Sequence, residues 1–153
     1  MTTLVLDAVR PYGARVLVND RLDVALAAGA DGVHLGADDL AVADARRIAP
    51  GLIVGATCRD RAGVLAAAAS GADYAGFGPL FPTGSKPGLP EPLGLRAVTA
   101  AAGVLPLVAI GGLTAATAAE ARAAGAHGVA VIGAIWREPD PVAAAKEPVT
   151  AVG

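Results

Sequence analysis

Six short apolar runs, spread along the chain and separated by alanine-rich stretches, constrain the fold more than any other feature of this sequence. They are ARVLVND (14–20), GVHLG (32–36), LIVGATC (52–58), YAGFGP (74–79), LVAIGG (107–112) and GVAVIGA (128–134). Each has the length and residue types of a strand. The segments between them include LDVALAAG (22–29), LAVADARRIA (40–49), RAGVLAAAASG (61–71) and TAATAAEARAAG (114–125), which read as helices. Strands alternating with helices predict right-handed βαβ units and a parallel sheet. The runs are apolar through most of their length, as expected when both faces of the sheet are covered.

The units also echo one another. AGADGVHLG (28–36), SGADYAGFG (70–78) and AGAHGVAVI (124–132) each place a glycine where a helix ends, then a small residue, a polar residue and the next strand. Such repetition fits a (β/α) barrel of like units. Recurrent helix-cap chemistry is the simpler alternative. The expected fold class is therefore α/β, of the (β/α)₈ TIM-barrel kind, with six of the eight strand–helix units in view. Residues 1–10 read as the end of a helix, so the first two strands are expected ahead of Met1. Residues 1–153 read as a single partial barrel domain. Its open sheet edges would invite association between copies.

Composition narrows the function. Of 153 residues, 54% are hydrophobic and 17% charged, and much of the apolar excess is helical alanine. No run approaches the ~18 uninterrupted apolar residues of a membrane span. The N-terminus has Asp7 and no long apolar stretch, unlike a secretory signal. A lone cysteine, Cys58, cannot form an internal disulfide and fits a reducing cytoplasm. Net charge is −2 and aromatics are 3%, so neither a basic stripe nor stacking rings are available for nucleic acid.

In α/β folds of this kind, chemistry sits at the carboxyl ends of the strands. The richest of those ends is GFGPLFPTGSKPG (76–88). Pro79, Pro82 and Pro87 each remove a backbone donor, so this run is a loop. Thr83, Ser85 and Lys86 are its strong polar groups and can donate to a phosphate. Asp20 and Asp39 follow the first two strands. Together they can share a hard cation such as Mg²⁺, which takes one or two carboxylates plus water and substrate phosphates. Alternatively, Asp20 caps a helix and Asp39 begins another. Gly111-Gly112, with Ile132-Gly133 after the next strand, has the placing of a phosphate cup built from backbone N–H groups. A tight strand-to-helix turn is the alternative. His34, Tyr74 and Trp136 read as packing residues, Cys58 as a small buried thiol, and Ala45-Arg46-Arg47 as a solvated helix face.

These stretches resemble the family of thiamine phosphate synthase and thiazole tautomerase. NDRLDVALAAGADGVHLGADDL, GADYAGFGPLFPTGSKPG, VAIGGL and GAHGVAVIGAI match the family's blocks in order and spacing, from about Ala14 to Ile135. The resemblance implies a barrel and a transferase that joins hydroxymethylpyrimidine diphosphate to thiazole phosphate, giving thiamine monophosphate and pyrophosphate. By position, Asp20 and Asp39 would hold Mg²⁺. Asn19, Thr57 and Lys86 would contact the pyrimidine diphosphate, with Lys86 the catalytic cation. Thr83, Gly84 and Ser85 would bind the thiazole phosphate, completed by Gly112, Ile132 and Gly133. The chain departs from the pattern at four places. Thr57 replaces a serine, Arg59 a histidine on which the tautomerase relies, Gly133 a serine and Ala37 a glutamine. The family's Gln-x-Arg-x-Lys block, which contacts the diphosphate, has no counterpart in these residues. The alternatives are a degenerate member that only binds phosphorylated ligands, and a tautomerase-like isomerase.

Overall fold

The structure, a computed structural model, describes residues 1–84 and 88–152. Helix α1 (Thr2–Val9) and a 3₁₀ turn (Arg10–Tyr12) lead into β1 (Leu17–Asn19). The chain then alternates: α2 (Leu22–Ala28), β2 (Gly32–Leu35), α3 (Val42–Ile48), β3 (Ile53–Cys58), α4 (Arg61–Ala69), β4 (Tyr74–Phe77), α5 (Leu95–Ala101), β5 (Leu107–Ile110), α6 (Ala115–Ala123) and β6 (Gly128–Ala130). Two helices follow, α7 (Gly133–Trp136) and α8 (Pro141–Val152). The strands pair in parallel in the order β1-β2-β3-β4-β5-β6. That sequential winding curls the sheet into a half-barrel rather than a doubly wound sheet.

Side chains alternate across the sheet. Val33, Leu35, Val54, Ala56, Ala75, Phe77, Leu107 and Ala109 are buried, packing with Leu22 and Ala45 or with Val64 and Val98 of the helices. The opposite, concave face is only partly covered. There His34, Tyr74, Val108 and Ile110 are half-buried, and Asn19 and Thr57 are exposed. Full burial of both faces, expected from the apolar runs, therefore holds for the helix side alone.

The echoed segments are a single device used three times. Behind Gly29, Gly71 and Gly125 the chain makes the same pair of helix-terminating bonds. Ala30, Ala72 and Ala126 donate to the carbonyls of Ala25, Ala67 and Ala121, and each glycine donates to the carbonyl three residues back. The polar residue then ties the new strand to the previous one. The N–H groups of Asp31, Asp73 and His127 donate to the carbonyls of Val16, Val54 and Leu107 at 2.8–2.9 Å. Asp31 and Asp73 return the bond through their side chains, accepting from the N–H of Val16 at 2.7 Å and of Val54 at 2.8 Å.

Arg46 completes one of these latches, and here the expectation of a solvated ARR face is wrong. Its guanidinium donates to the carbonyls of Gly71, Pro50 and Leu52 and pairs with Asp73 at 2.6 Å. Ala45 beside it is fully buried, and only Arg47 is a surface residue. Asp73→Ala strips acceptors from both Val54 N–H and Arg46. It is expected to lower stability by roughly 1–3 kcal/mol, the penalty for unsatisfied groups. Urea unfolding checks this; an unchanged midpoint would remove the latch from the account of the fold.

Other expectations shift at the ends of elements. The first strand is Leu17–Asn19 rather than 14–20, and the last ends at Ala130, with Gly133 and Ala134 opening α7. Trp136 does not pack: it is 75% exposed at the end of that short helix. α5 and α8 were not anticipated from sequence. α8 runs through Pro148, the one residue it buries among those described.

Candidate active site

Because every strand runs the same way, all six carboxyl ends share one rim. In register, Asn19 lies level with His34, His34 with Gly55 and Gly55 with Tyr74, while Thr57 lies level with Gly76. All belong to the concave face. Both ring nitrogens of His34 are engaged: Nδ1 lies 2.9 Å from the Tyr74 hydroxyl and Nε2 3.0 Å from Thr57 Oγ1. Burial lowers the His34 pKa, opposed by the charges of Asp20 and Asp39. Burial also raises the Tyr74 phenol, and it raises the Cys58 thiol together with the Asp60 charge. Cys58 is thus the inert buried thiol expected of it.

Asp20 leaves β1 with φ of 65°, the one non-glycine residue in the left-handed region among those described. That conformation costs roughly 1–2 kcal/mol, and such residues gather at functional sites. The Asp20 N–H donates to the His34 carbonyl at 2.8 Å. Neither acid serves as a helix cap. The cap position of α2 is Arg21 and that of α3 is Ala41. Asp39 instead accepts the Gly36 N–H at 2.6 Å, which fixes its carboxylate at the mouth of β2. The Asp20 N–H bonds to the backbone of β2 and the Asp39 carboxylate holds the N–H of Gly36 just past it, so both acids stand at the mouth of β2.

The proline-rich loop after β4 begins with a cis Gly78–Pro79 bond and is pinned along the end of β5. Leu80 and Phe81 donate to the carbonyls of Ile110 and Gly111, and Leu93 and Gly94 to those of Pro79 and Leu80. Arg59 clamps the loop's two arms, donating to Gly78 O at 3.3 Å and Glu91 O at 2.8 Å. Gly111 and Gly112 both have positive φ, 92° and 68°. A Cβ on Gly112 would lie 2.5 Å from the Pro82 carbonyl oxygen, so only glycine lets the Pro82–Thr83 backbone come this close. Among the described residues, no hydrogen bond takes up the N–H of Gly112 or Gly133. Ile132 precedes α7 with its side chain half in solvent. Ser85 and Lys86 lie outside the described residues.

Two arginines, Arg59 and Arg137, join this rim, and Tyr74, the first residue of β4, reaches His34 from deeper on the concave face. Arg59 was noted only as a departure from a family pattern, and Tyr74 only as packing. Arg137 was not noticed. A Cβ added to Gly133 would lie 3.3 Å from its Nε, and one added to Gly84 3.8 Å from its Nη2. A guanidinium therefore stands between the two glycines assigned to the phosphate cup. The i, i+4 spacing of Gly133 and Arg137 on a helical turn was the only sequence signal for it.

Against known proteins, the thiamine monophosphate synthase family profile matches residues 2–135. The chain belongs to the thiamine monophosphate synthase family. It is 57% identical over 137 residues to the thiamine-phosphate synthase of Methanoculleus marisnigri, covering 88% of this chain and 65% of that one. The thiamine-phosphate synthase of Salinispora arenicola is 55% identical over 137 residues, covering 87% and 65%. The chain thus spans about 65% of the length of these curated relatives. Among solved structures it resembles thiamine phosphate pyrophosphorylase from Pyrococcus furiosus, with TM-score 0.90 and 37% identity over 99% of this chain and 73% of that one. A 3-hexulose-6-phosphate synthase follows at TM-score 0.79 and 26% identity, covering 99% and 79%. Among the described residues no helix is long and apolar enough to cross a membrane.

Proposed function

We propose that the chain catalyses the thiamine phosphate synthase reaction, joining hydroxymethylpyrimidine diphosphate to thiazole phosphate with release of pyrophosphate. The observation that carries this reading is the division of one rim into two halves. An acidic half lies at β1 and β2, where the Asp20 N–H bonds to the His34 carbonyl and Asp39 to the Gly36 N–H. A glycine-rich half, with Gly112, Thr83, Gly84, Gly133 and the Arg137 guanidinium, lies at β4 to β6. One half suits a metal-bound diphosphate and the other a phosphate monoester.

Asp20 and Asp39 would hold Mg²⁺. The donor set fits: hard carboxylate oxygens from two neighbouring strand ends, one carboxylate steadied by a backbone N–H. A site of this kind would take its further ligands from water and diphosphate oxygens. Bound there, Mg²⁺ supplies counter-charge to the departing pyrophosphate. Asn19 and Thr57 orient the pyrimidine diphosphate, and Lys86 donates to its diphosphate. The methylene C–O bond breaks, and its electron pair leaves with pyrophosphate. The thiazole nitrogen lone pair then forms the C–N bond. Thr83, Ser85 and the N–H groups of Gly112 and Gly133 hold the thiazole phosphate so that this nitrogen faces the methylene carbon. Arg137 adds a cation at the same phosphate.

A tautomerase reading loses its base, because Arg59 occupies the histidine position and spends its guanidinium on two loop carbonyls. The test is product formation. Purified protein with both substrates and Mg²⁺ should release pyrophosphate and thiamine monophosphate in equal amounts. Saturable binding of thiazole phosphate with no product would favour the non-enzymatic ligand-binding reading instead.

A further inference from the structure

Tyr74, His34 and Thr57 form a built chain on the concave face. Two glycines make room for it. A Cβ on Gly55 would collide with the Tyr74 ring, and one on Gly76 would lie 2.7 Å from His34 Cε1. The two rings lie 5.6 Å apart, inclined by 30°. A neutral imidazole offers one donor and one acceptor. The half-buried Tyr74 hydroxyl carries a proton that needs an acceptor, and His34 Nδ1 at 2.9 Å is placed to take it. With the ring proton on Nε2, His34 would donate to Thr57 Oγ1, 3.0 Å away. A Thr57 hydroxyl that receives this bond would turn its own O–H toward the carboxyl rim, which carries Asp20 and Asp39.

We propose that His34, anchored by Tyr74, is a positioning residue that fixes Thr57 as a hydrogen-bond donor to an anionic diphosphate oxygen of the pyrimidine substrate. The proposal rests on the reading that Thr57 contacts this substrate. A hydroxyl free to rotate would present donor and lone pairs in turn; one whose lone pair is occupied presents its proton. His34 itself touches no reacting atom. Its task is orientation, and Tyr74 acts one step further back.

A double-mutant cycle tests the relay in the full chain, read by calorimetric affinity for hydroxymethylpyrimidine diphosphate with Mg²⁺. Tyr74→Phe, which keeps the ring and removes the hydroxyl, should weaken that affinity roughly three- to tenfold, the scale of one hydrogen bond. Affinity for thiazole phosphate should stay within twofold, as a general loosening of the fold would not allow. In a Thr57→Ala background Tyr74→Phe should cost nothing more, whereas Thr57→Ser should behave as the parent. Losses from Tyr74→Phe and Thr57→Ala that multiply would overturn the relay and leave the role of Thr57 intact. No loss from Thr57→Ala would overturn the substrate assignment, and the relay with it. Failure of the parent to bind the diphosphate would overturn the functional reading itself. The chain has two histidines, so ring-nitrogen NMR of a histidine-labelled sample, with His127→Asn for assignment, reads the tautomer directly. A proton on Nε2 of His34 supports the relay and a proton on Nδ1 refutes it.

Discussion

Gly112→Ala should raise the KM for thiazole phosphate at least tenfold and lower the melting temperature, even though it adds a single methyl group. Two causes act together. The left-handed φ of 68° costs a non-glycine residue roughly 1–2 kcal/mol. The added Cβ would also lie 2.5 Å from the Pro82 carbonyl oxygen and 2.8 Å from Phe81 Cβ. The methyl cannot be absorbed by rotating a side chain, because the nearest atom belongs to the backbone. The loop from Phe81 to Thr83 must retreat, and with it one wall of the phosphate cup. A loss of about 1.4 kcal/mol in binding already gives the tenfold change. Steady-state kinetics with varied thiazole phosphate measure this. A KM within twofold of the parent would show that Gly112 shapes a turn and no binding site.

The second large effect is expected at the acids. Asp20→Asn and Asp39→Asn keep size and an acceptor oxygen while removing charge. Asparagine also tolerates the left-handed backbone of position 20, so the fold should survive. Turnover should fall on the order of 10²-fold for each, the scale seen when one preorganised electrostatic partner of a transition state is removed. The Mg²⁺ concentration for half-maximal rate should rise in both variants. Because Asp39 is held by the Gly36 N–H, its asparagine can keep that bond and still fail at the metal. Unchanged turnover and metal dependence in either variant would remove that residue from the site.

How much of this was legible in the sequence depends on the range of the contacts. The six strands and their order could be read because apolar β-forming runs and glycine helix ends are local signals, and Gly29, Gly71 and Gly125 sit where those signals put them. The rim could be read because a parallel sheet sends every strand's carboxyl end to one side. Arg46 could not: its acceptors at Gly71 and Asp73 lie 25 and 27 residues away, and nothing near it in the chain distinguishes it from a solvated arginine. The Tyr74–His34 pair, 40 residues apart, was hidden for the same reason. Trp136 misled because a large aromatic ring usually packs, whereas the short α7 leaves it in solvent. α5 was obscured by the proline-rich stretch that runs up to its start.

The assignment of two anion sites to one rim is tested most directly by a crystal structure of the protein with thiazole phosphate, pyrophosphate and Mg²⁺. The account predicts the phosphate monoester at the N–H groups of Gly112 and Gly133, close to Thr83 and the Arg137 guanidinium. It predicts the metal between Asp20 and Asp39, with pyrophosphate on its open side near Thr57. Ligands bound at the amino ends of the strands, or a metal held elsewhere on the chain, would contradict it.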